Sequence, residues 1–356
     1  MRILIGSAHP YLPQLMGGAQ SSTHELASAL RDRGHDVCVV GGLTGEGWFG
    51  LRRRLELKLR RRHWVRDDQL GYPVFRAWFP PRVVAEIARH FRAEVAFFQS
   101  GFPVEMAKAM AETGIPPVIY LRNVEADDLG GRLEELNGAT FIANSQFTAR
   151  SFAKSAGISS SVIHPMIDAD RYRTRSSRQN VTFINPHPDK GVDIALKVAE
   201  TCPEIPFVFV KAWTLSSEEE ESLQGHAARL GNLTIRPATR DMKSVYGEAK
   251  ILLAPSRWEE AFGRVAAEAH LSGIPVVGSD RGGLPEAIGP GGTILPLDAP
   301  VEAWAEAVRA LWSDEAHYQK VSAAALRYAA RDEMNAERQV DQIEKILAAA
   351  CERGRS

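Results

Sequence analysis

Glu260 and Glu268 flank the run Ala261-Phe262-Gly263-Arg264-Val265-Ala266-Ala267. A carboxylate accepts hydrogen bonds from the paired hydroxyls of a pentose or hexose. The residues between the two acids read as the opening of a helix near Phe262-Gly263. The unpaired N–H groups and positive dipole end of a helix start favour an anion such as a diphosphate. With Glu260 on the loop and Glu268 two turns into the helix, both carboxylates can face one ligand. Earlier in the chain stands Asn185-Pro186-His187-Pro188-Asp189-Lys190-Gly191. A lysine placed there could neutralise charge on a departing phosphate. Plainer readings are open for both. Glu268 could line a solvated helix face, and Lys190 could be an exposed lysine that starts a helix.

Positioning such groups takes a scaffold, and the hydrophobic pattern supplies one. Short apolar runs alternate with amphipathic segments almost throughout, which predicts a parallel α/β sheet. Strands are expected at Ile3–Gly6, Val37–Val40, Val95–Phe98, Pro117–Leu121, Thr140–Ala143 and Ser161–His164, then at Val181–Ile184, Phe207–Val210, Leu233–Arg236, Lys250–Ala254 and Pro275–Gly278. Helices fall between them, including Gly18–Arg33, Pro103–Thr113, Ser145–Ala156, Ser217–Arg229 and Phe262–Leu271. Around 169–179 the pattern breaks into a polar, aperiodic run, as a linker would. The expected organisation is a doubly wound domain over 1–168, a linker over 169–179, a second doubly wound domain over 180–334, and a C-terminal helix over 335–356 that crosses back to the first domain. In open α/β sheets ligands bind at the carboxyl ends of the strands. The expected site is a cleft between two such domains.

The stretch Pro255-Ser256, Glu260, Phe262-Gly263, Glu268-Ala269, Gly273-Ile274-Pro275-Val276-Val277 and Gly282-Gly283-Leu284-Pro285-Glu286 stands in an order similar to that of the family-4 retaining glycosyltransferases. Glu260 and Glu268 resemble their E-x7-E motif, and Lys190-Gly191 resembles their K-G pair. The resemblance covers most of the chain in architecture and is specific from about Phe183 to Glu286. It implies the GT-B fold, two Rossmann-like domains facing a central cleft. It implies transfer of a sugar, of hexosyltransferase type, from a nucleotide-diphosphate sugar to a hydroxyl acceptor with retention of configuration. It further implies that Glu268 binds the donor ribose, Glu260 contacts the transferred sugar and Lys190 touches the diphosphate. Backbone groups of Phe262, Gly263, Arg264 and Val265 would hold sugar and diphosphate, with the Arg264 side chain adding a charge-assisted bond. Catalysis would then rest on Glu260, Lys190 and Arg264. UDP or GDP is the expected nucleotide, and no cofactor or metal is required, because Lys190 and helix starts supply the positive charge.

The chain also departs from the family pattern. Relatives commonly end the first strand of the second domain in Gly-Arg, where this chain has Ile184-Asn185; Arg264 or Lys211 could replace the missing cation. Relatives often carry a histidine after a central strand of the first domain, where Arg122-Asn123 stand here. In the first half, Gly17-Gly18 is either a tight turn before a helix or, as in relatives, a turn near the donor phosphate. His9, Arg122, Asn123 and Glu125 are candidates for acceptor binding, and for each a packed or solvated role is equally open.

Hydrophobic residues make up 44% and charged residues 24%, and the net charge of −1 excludes attraction of a polyanion by global charge. The three cysteines are far apart and form no metal or disulfide framework. No leader segment and no apolar run long enough to span a membrane is read, so a cytoplasmic location is expected. One local feature stands apart. Over 48–66, and most densely over 51–62, leucines at 51, 55 and 59 alternate with arginines. This reads as a basic amphipathic helix that lies on an anionic inner membrane face, grips an anionic acceptor, or packs its leucines on the first domain. No nucleic-acid module accompanies it. The acceptor could be a carbohydrate, a lipid-linked glycan or a natural product. The alternatives to a transferase are a sugar-nucleotide epimerase on the same fold, an inactive nucleotide-sugar-binding protein, and a basic-patch scaffold.

Overall fold

The structure, a computed structural model, describes residues 1–355 and, within them, every side chain except those of Arg60 and Arg355. The chain divides into two compact units, one built from Met1–Met166 with the segment from Ala336 onward, the other from Ile167–Asn335.

The first unit holds β1 (Arg2–Pro10), β2 (Asp36–Gly42), β3 (Val65–Asp67), β4 (Val74–Ala77), β5 (Val95–Gln99), β6 (Pro117–Leu121), β7 (Thr140–Ala143) and β8 (Ser161–Val162). They form one sheet in the order β3-β4-β2-β1-β5-β6-β7-β8, parallel except for the β3–β4 pair. Around it lie α1 (Gly18–Asp32), α2 (Gly47–Arg60), α3 (Val84–Phe91), α4 (Pro103–Met110), α5 (Ala126–Leu129) and α6 (Gln146–Ala156). Successive strand side chains point to opposite faces. Ile3, Ile5, Val37, Val39, Val95 and Phe97 therefore enter one buried cluster. Their neighbours Leu4, Cys38, Val40, Ala96 and Phe98 enter another. A strand buried on both faces needs continuous apolar runs, and that is the pattern these segments carry.

The second unit begins with α7 (Ala169–Tyr172), within the stretch read as a linker. Tyr172 is buried there, and α7 packs on its own unit, so 169–179 is an integral part of that unit. The sheet contains β9 (Asn180–Ile184), β10 (Phe207–Val210), β11 (Leu233–Arg236), β12 (Ala249–Ala254), β13 (Val276–Ser279) and β14 (Gly292–Leu295), all parallel, in the order β11-β10-β9-β12-β13-β14. Its helices are α8 (Val192–Thr201), α9 (Ser217–Leu230), α10 (Met242–Tyr246), α11 (Arg264–His270), α12 (Leu284–Ile288), α13 (Val301–Ser313) and α14 (Glu315–Ala329). The last helix, α15 (Ala336–Arg355), returns to the first unit, where Val340, Ile343, Leu347 and Ala350 complete a core cluster with Ile3 and Val95.

The hydrophobic pattern does not single out β3 and β4, and the reason is physical. Asp67 and Arg76 sit at buried strand positions as an ion pair, with Arg76 Nε donating to Asp67 Oδ2 at 2.5 Å. Arg76 also donates to the carbonyls of Tyr11 and Leu12, fixing the loop that follows β1. A sequence scan reads such charges as loop, although here they replace apolar residues in the interior.

In each sheet the strand order reverses beside the first strand. The switch lies between β1 and β5 in the first unit and between β9 and β12 in the second. Beyond the carboxyl ends of such a strand pair a crevice opens, and ligands of open α/β sheets occupy it.

Candidate functional site

In the second unit, the loops leaving β9 and β12 meet at the switch point. The β9 loop carries Lys190 and the β12 loop carries Glu260. Lys190 Nζ donates to Glu260 Oε1 at 2.7 Å, and Ser256 Oγ donates to the same oxygen at 3.0 Å. The ammonium also lies 4.9 Å from the centre of the Trp213 ring. The two loops are clamped by their backbones: the N–H groups of Arg257 and Trp258 both donate to the Asp189 carbonyl, at 2.9 and 2.8 Å. This contact explains why glycine follows the lysine. Gly191 has φ +77, and a Cβ there would lie 2.0 Å from the Pro255 carbonyl oxygen. Any larger residue would push the loops, and with them Lys190 and Glu260, apart.

The Gly282-Gly283 turn has a related role. A Cβ on Gly282 would lie 2.2 Å from the Glu260 carbonyl oxygen, and one on Gly283 2.5 Å from that of Ala261. The Gly283 N–H donates to the Glu260 carbonyl at 2.5 Å. The glycine pair thus supports the Glu260 loop from behind.

Glu268 lies on α11, and only 5% of it is exposed, which removes the solvated-face reading. Its Oε1 accepts from Arg264 Nε at 2.6 Å, and its Oε2 accepts from the Tyr246 hydroxyl at 2.8 Å. Burial, reinforced by the neighbouring Glu268 carboxylate, pushes the Tyr246 phenol well above its ordinary range, so it remains a donor. Arg264 also donates to the Tyr172 hydroxyl at 2.9 Å and stacks over that ring. The helix starts two residues later than the sequence pattern suggests, because Gly263 holds φ +96, and Glu268 is one turn into it rather than two. Phe262 is buried in the core beneath, and Val265 packs against that core at the opening of α11.

Neither substitute for the missing strand-end arginine is uncommitted. Arg264 is held as described, and Lys211 Nζ donates to Glu220 Oε1 at 2.9 Å. Asn185 itself adopts φ +67, and its side chain accepts from the Trp213 N–H at 3.0 Å, so it shapes the turn that carries Lys190.

In the first unit, the carboxyl edge gathers His9 from β1, Gly101 after β5, Asn123 after β6 and Asp128 on α5. His9 Nε2 lies 2.7 Å from Asp128 Oδ1. The other carboxylate oxygen accepts from the Gly101 N–H at 2.8 Å and from Asn123 Nδ2. Burial alone would push the Asp128 carboxyl up, but the hydrogen bonds from His9, Gly101 and Asn123 outweigh it and hold it below its usual range. The bond to Asp128 raises the His9 imidazole above 6.5, against the opposing effect of burial. The His9 side chain remains 43% exposed. Asp128 was invisible in the sequence, one acid in the run Glu125-Ala126-Asp127-Asp128; only the fold brings it to a histidine 119 positions away.

Gly17 is extended, and Gly18 opens α1. Arg122 reaches back to this turn, donating to the carbonyls of Gly18 and Ala19 and, at 2.8 Å, to Gln99 Oε1. Arg122 thereby fixes the start of α1. Glu125 precedes α5, and its carboxylate accepts from the Val124 N–H.

Comparison with known proteins is consistent across both units. A family model described as Glycosyl transferases group 1 matches residues 184–328, and one described as Glycosyltransferase Family 4 matches residues 16–171. The chain is 32% identical over 168 residues to a D-inositol 3-phosphate glycosyltransferase of Mycobacteroides abscessus, covering 41% of this chain and 38% of that protein. It is 40% identical over 108 residues to one of Corynebacterium diphtheriae, covering 30% and 25%. The match thus spans well under half the length of these curated relatives. Among solved structures, Anabaena HepE in complex with UDP-glucose has a TM-score of 0.76 at 21% identity, over 98% of this chain and 100% of that one. A glycosyltransferase of Rickettsia africae has a TM-score of 0.76 at 16% identity, over 98% of both chains. At such identities the likeness shows the fold, which is GT-B.

Proposed function

We propose that this chain, which belongs to the family-4 glycosyltransferases, moves a sugar from a nucleotide-diphosphate sugar to a hydroxyl acceptor with retention of anomeric configuration. The observation that carries the reading is the Lys190–Glu260 pair, set at the strand-order switch of the second sheet by a contact that only glycine at 191 permits. In this reading Lys190 turns part of its three-donor ammonium to the diphosphate and stabilises the charge that develops on the leaving group. Glu260, steadied by Ser256, accepts from hydroxyls of the transferred sugar. Glu268 receives the donor ribose while Arg264 and Tyr246 keep it oriented. The backbone from Phe262 through Val265 faces the diphosphate. UDP or GDP is the donor nucleotide, with no cofactor beyond it.

The acceptor reading rests on the other sheet edge. His9, oriented by Asp128, has the arrangement of a base held by a third group, able to hold an acceptor hydroxyl. Asn123 donates to the same Asp128 carboxylate, Arg122 holds the start of α1, and Glu125 precedes the short helix that carries Asp128. Gly17-Gly18 opens α1 beside this edge and belongs to the donor side. The products are glycans, glycolipids or glycosylated natural products, and the enzyme works in the cytoplasm or at the inner membrane face.

The test is a thermal-shift panel with UDP, GDP, ADP, CDP and dTDP, each with and without its sugar, followed by assay of nucleoside diphosphate release with candidate acceptors. A ligand at 100 times its dissociation constant stabilises by about 2.7 kcal/mol. That is a shift of several degrees, at roughly 2–4 °C per kcal/mol. A selective shift with acceptor-dependent release supports the reading. Binding without release identifies an inactive binding protein, and a changed sugar still attached to its nucleotide identifies an epimerase.

A further inference from the structure

The helix α2 is apolar on two opposite sides. Its inner side buries Leu57 against Leu43 and Val65, with Phe49 alongside. Its outer side carries Trp48, Leu51, Leu55 and Leu59, which are 83%, 53%, 57% and 74% exposed. At 3.6 residues per turn these four side chains fall within an arc of about 80°. One exposed leucine is ordinary, but four large apolar groups in line on one surface helix mark a contact surface.

Charge identifies the partner. Between Trp48 and Arg62 stand seven cations and one acid, in a chain whose net charge is −1. Arg52 on one side and Lys58 on the other border the apolar stripe, as the helical spacing dictates. The acid, Glu56, is paired with Arg53 towards the inner side, where Arg53 also stacks on Phe49. Cations in the last turn of a helix complement its dipole, but the first turn favours acids. Here the first turn holds no acid, and Arg52 and Arg54 follow directly. Helix stability does not account for them. At the far end Arg61, Arg62 and His63 line an open recess beside Trp64. An apolar strip bordered by cations, with a tryptophan at one end, matches the boundary between acyl chains and anionic headgroups. A second copy of the chain would fit the leucines but would bring cation against cation across a two-fold contact. A nucleic acid would fit the cations and leave the leucines in water.

We infer that the outer face of α2 docks on an anionic lipid bilayer, with Trp48, Leu51, Leu55 and Leu59 entering the headgroup–acyl boundary and the flanking arginines and lysine on lipid phosphates. This surface is independent of the transferase reading and stands or falls without it.

The experiment is co-sedimentation of the full chain with vesicles of pure phosphatidylcholine and with vesicles in which about 30% of the lipid is phosphatidylglycerol, at low and high salt. Two triple variants are compared with the unaltered chain: Leu51→Gln with Leu55→Gln and Leu59→Gln, and Arg52→Gln with Arg54→Gln and Lys58→Gln. All six side chains lie on the surface, so thermal melts of the variants should match the original and exclude misfolding. The expected result is sedimentation with the anionic vesicles only, at least about tenfold weaker in each triple variant, with added salt weakening the original. The inference is overturned if the unaltered chain sediments no better with anionic than with neutral vesicles. It is equally overturned if the leucine variant binds as the original does. A self-associating chain whose dimer is broken by the leucine variant would assign the face to a second copy instead.

Discussion

The carboxyl edges of the two sheets are built on opposite plans. In the second unit the charged groups answer one another: Lys190 pairs with Glu260, Arg264 with Glu268, and the Glu260 loop is packed too tightly for any Cβ at 191, 282 or 283. In the first unit the cations mostly answer the backbone. Arg76 donates to the carbonyls of Tyr11 and Leu12, and Arg122 to those of Gly18 and Ala19. One imidazole, His9, is left oriented and half exposed. The first plan is a preformed, charge-balanced surface. The second freezes loops around a single side chain. On the proposed reading, the first plan suits a donor diphosphate and the second an acceptor hydroxyl.

The contrast can be broken in four places. Glu268→Ala should have the largest effect, destabilising the second unit by about 3–5 kcal/mol, because it takes the counter-charge away from a largely buried guanidinium. Chemical denaturation reads this, and a loss under ~1 kcal/mol would mean that water already compensates Arg264. Gly191→Ala should cost at least about 3 kcal/mol, since strain at positive φ adds to the overlap with Pro255. Gly231→Ala is its control, with φ +69 and open space around it, and should cost about 1–2 kcal/mol. Equal losses at the two glycines would show that loop contact does not hold the edge. Lys190→Ala should lower the transfer rate more than about tenfold, equivalent to ~1.4 kcal/mol of lost charge-assisted contact. Near-normal steady-state turnover would remove Lys190 from the reaction.

The smallest effect belongs to the first edge. His9 titrates above 6.5 in the folded chain, so the stability its charged form contributes is full below 6.5 and fades as pH rises through the raised value. Asp128→Asn should bring the His9 titration, followed by NMR, back down towards 6.5. An unchanged midpoint would show that Asp128 does not set the state of the imidazole.

The same contrast explains what could be read in the sequence. Glu260, Phe262, Gly263, Glu268 and Gly282-Gly283 lie within one short stretch, and Lys190-Gly191 follows directly on a strand, so their order alone suggested a common task. The strands with buried faces were legible because Ile3-Leu4-Ile5 or Val181-Thr182-Phe183-Ile184 cannot be stable elsewhere. Asp128 was not legible, since its meaning comes from His9, Gly101 and Asn123, which converge from three other segments. Nor was the commitment of Arg264 to Glu268 and Tyr172, because a motif gives identity and spacing but not the direction in which a long side chain turns. Asp67 and Arg76 misled the pattern outright by replacing apolar residues with a buried ion pair.

The return of α15 has a consequence for how the protein is made. Val340, Ile343 and Leu347 fill the core beside Ile3 and Val95, yet the whole of Ile167–Asn335 is translated before them. At ~5–20 residues per second the ribosome takes about 10–40 s between finishing Met166 and delivering the last of this helix. During that interval the second unit can close on itself, while the first waits with the Ile3 face of its sheet covered only in part, by α1. The N-terminal half of this chain, though synthesised first, is therefore the last to mature and the natural client for chaperones. A stop codon that removes only the final helix would strike the sheet at the opposite end of the gene product.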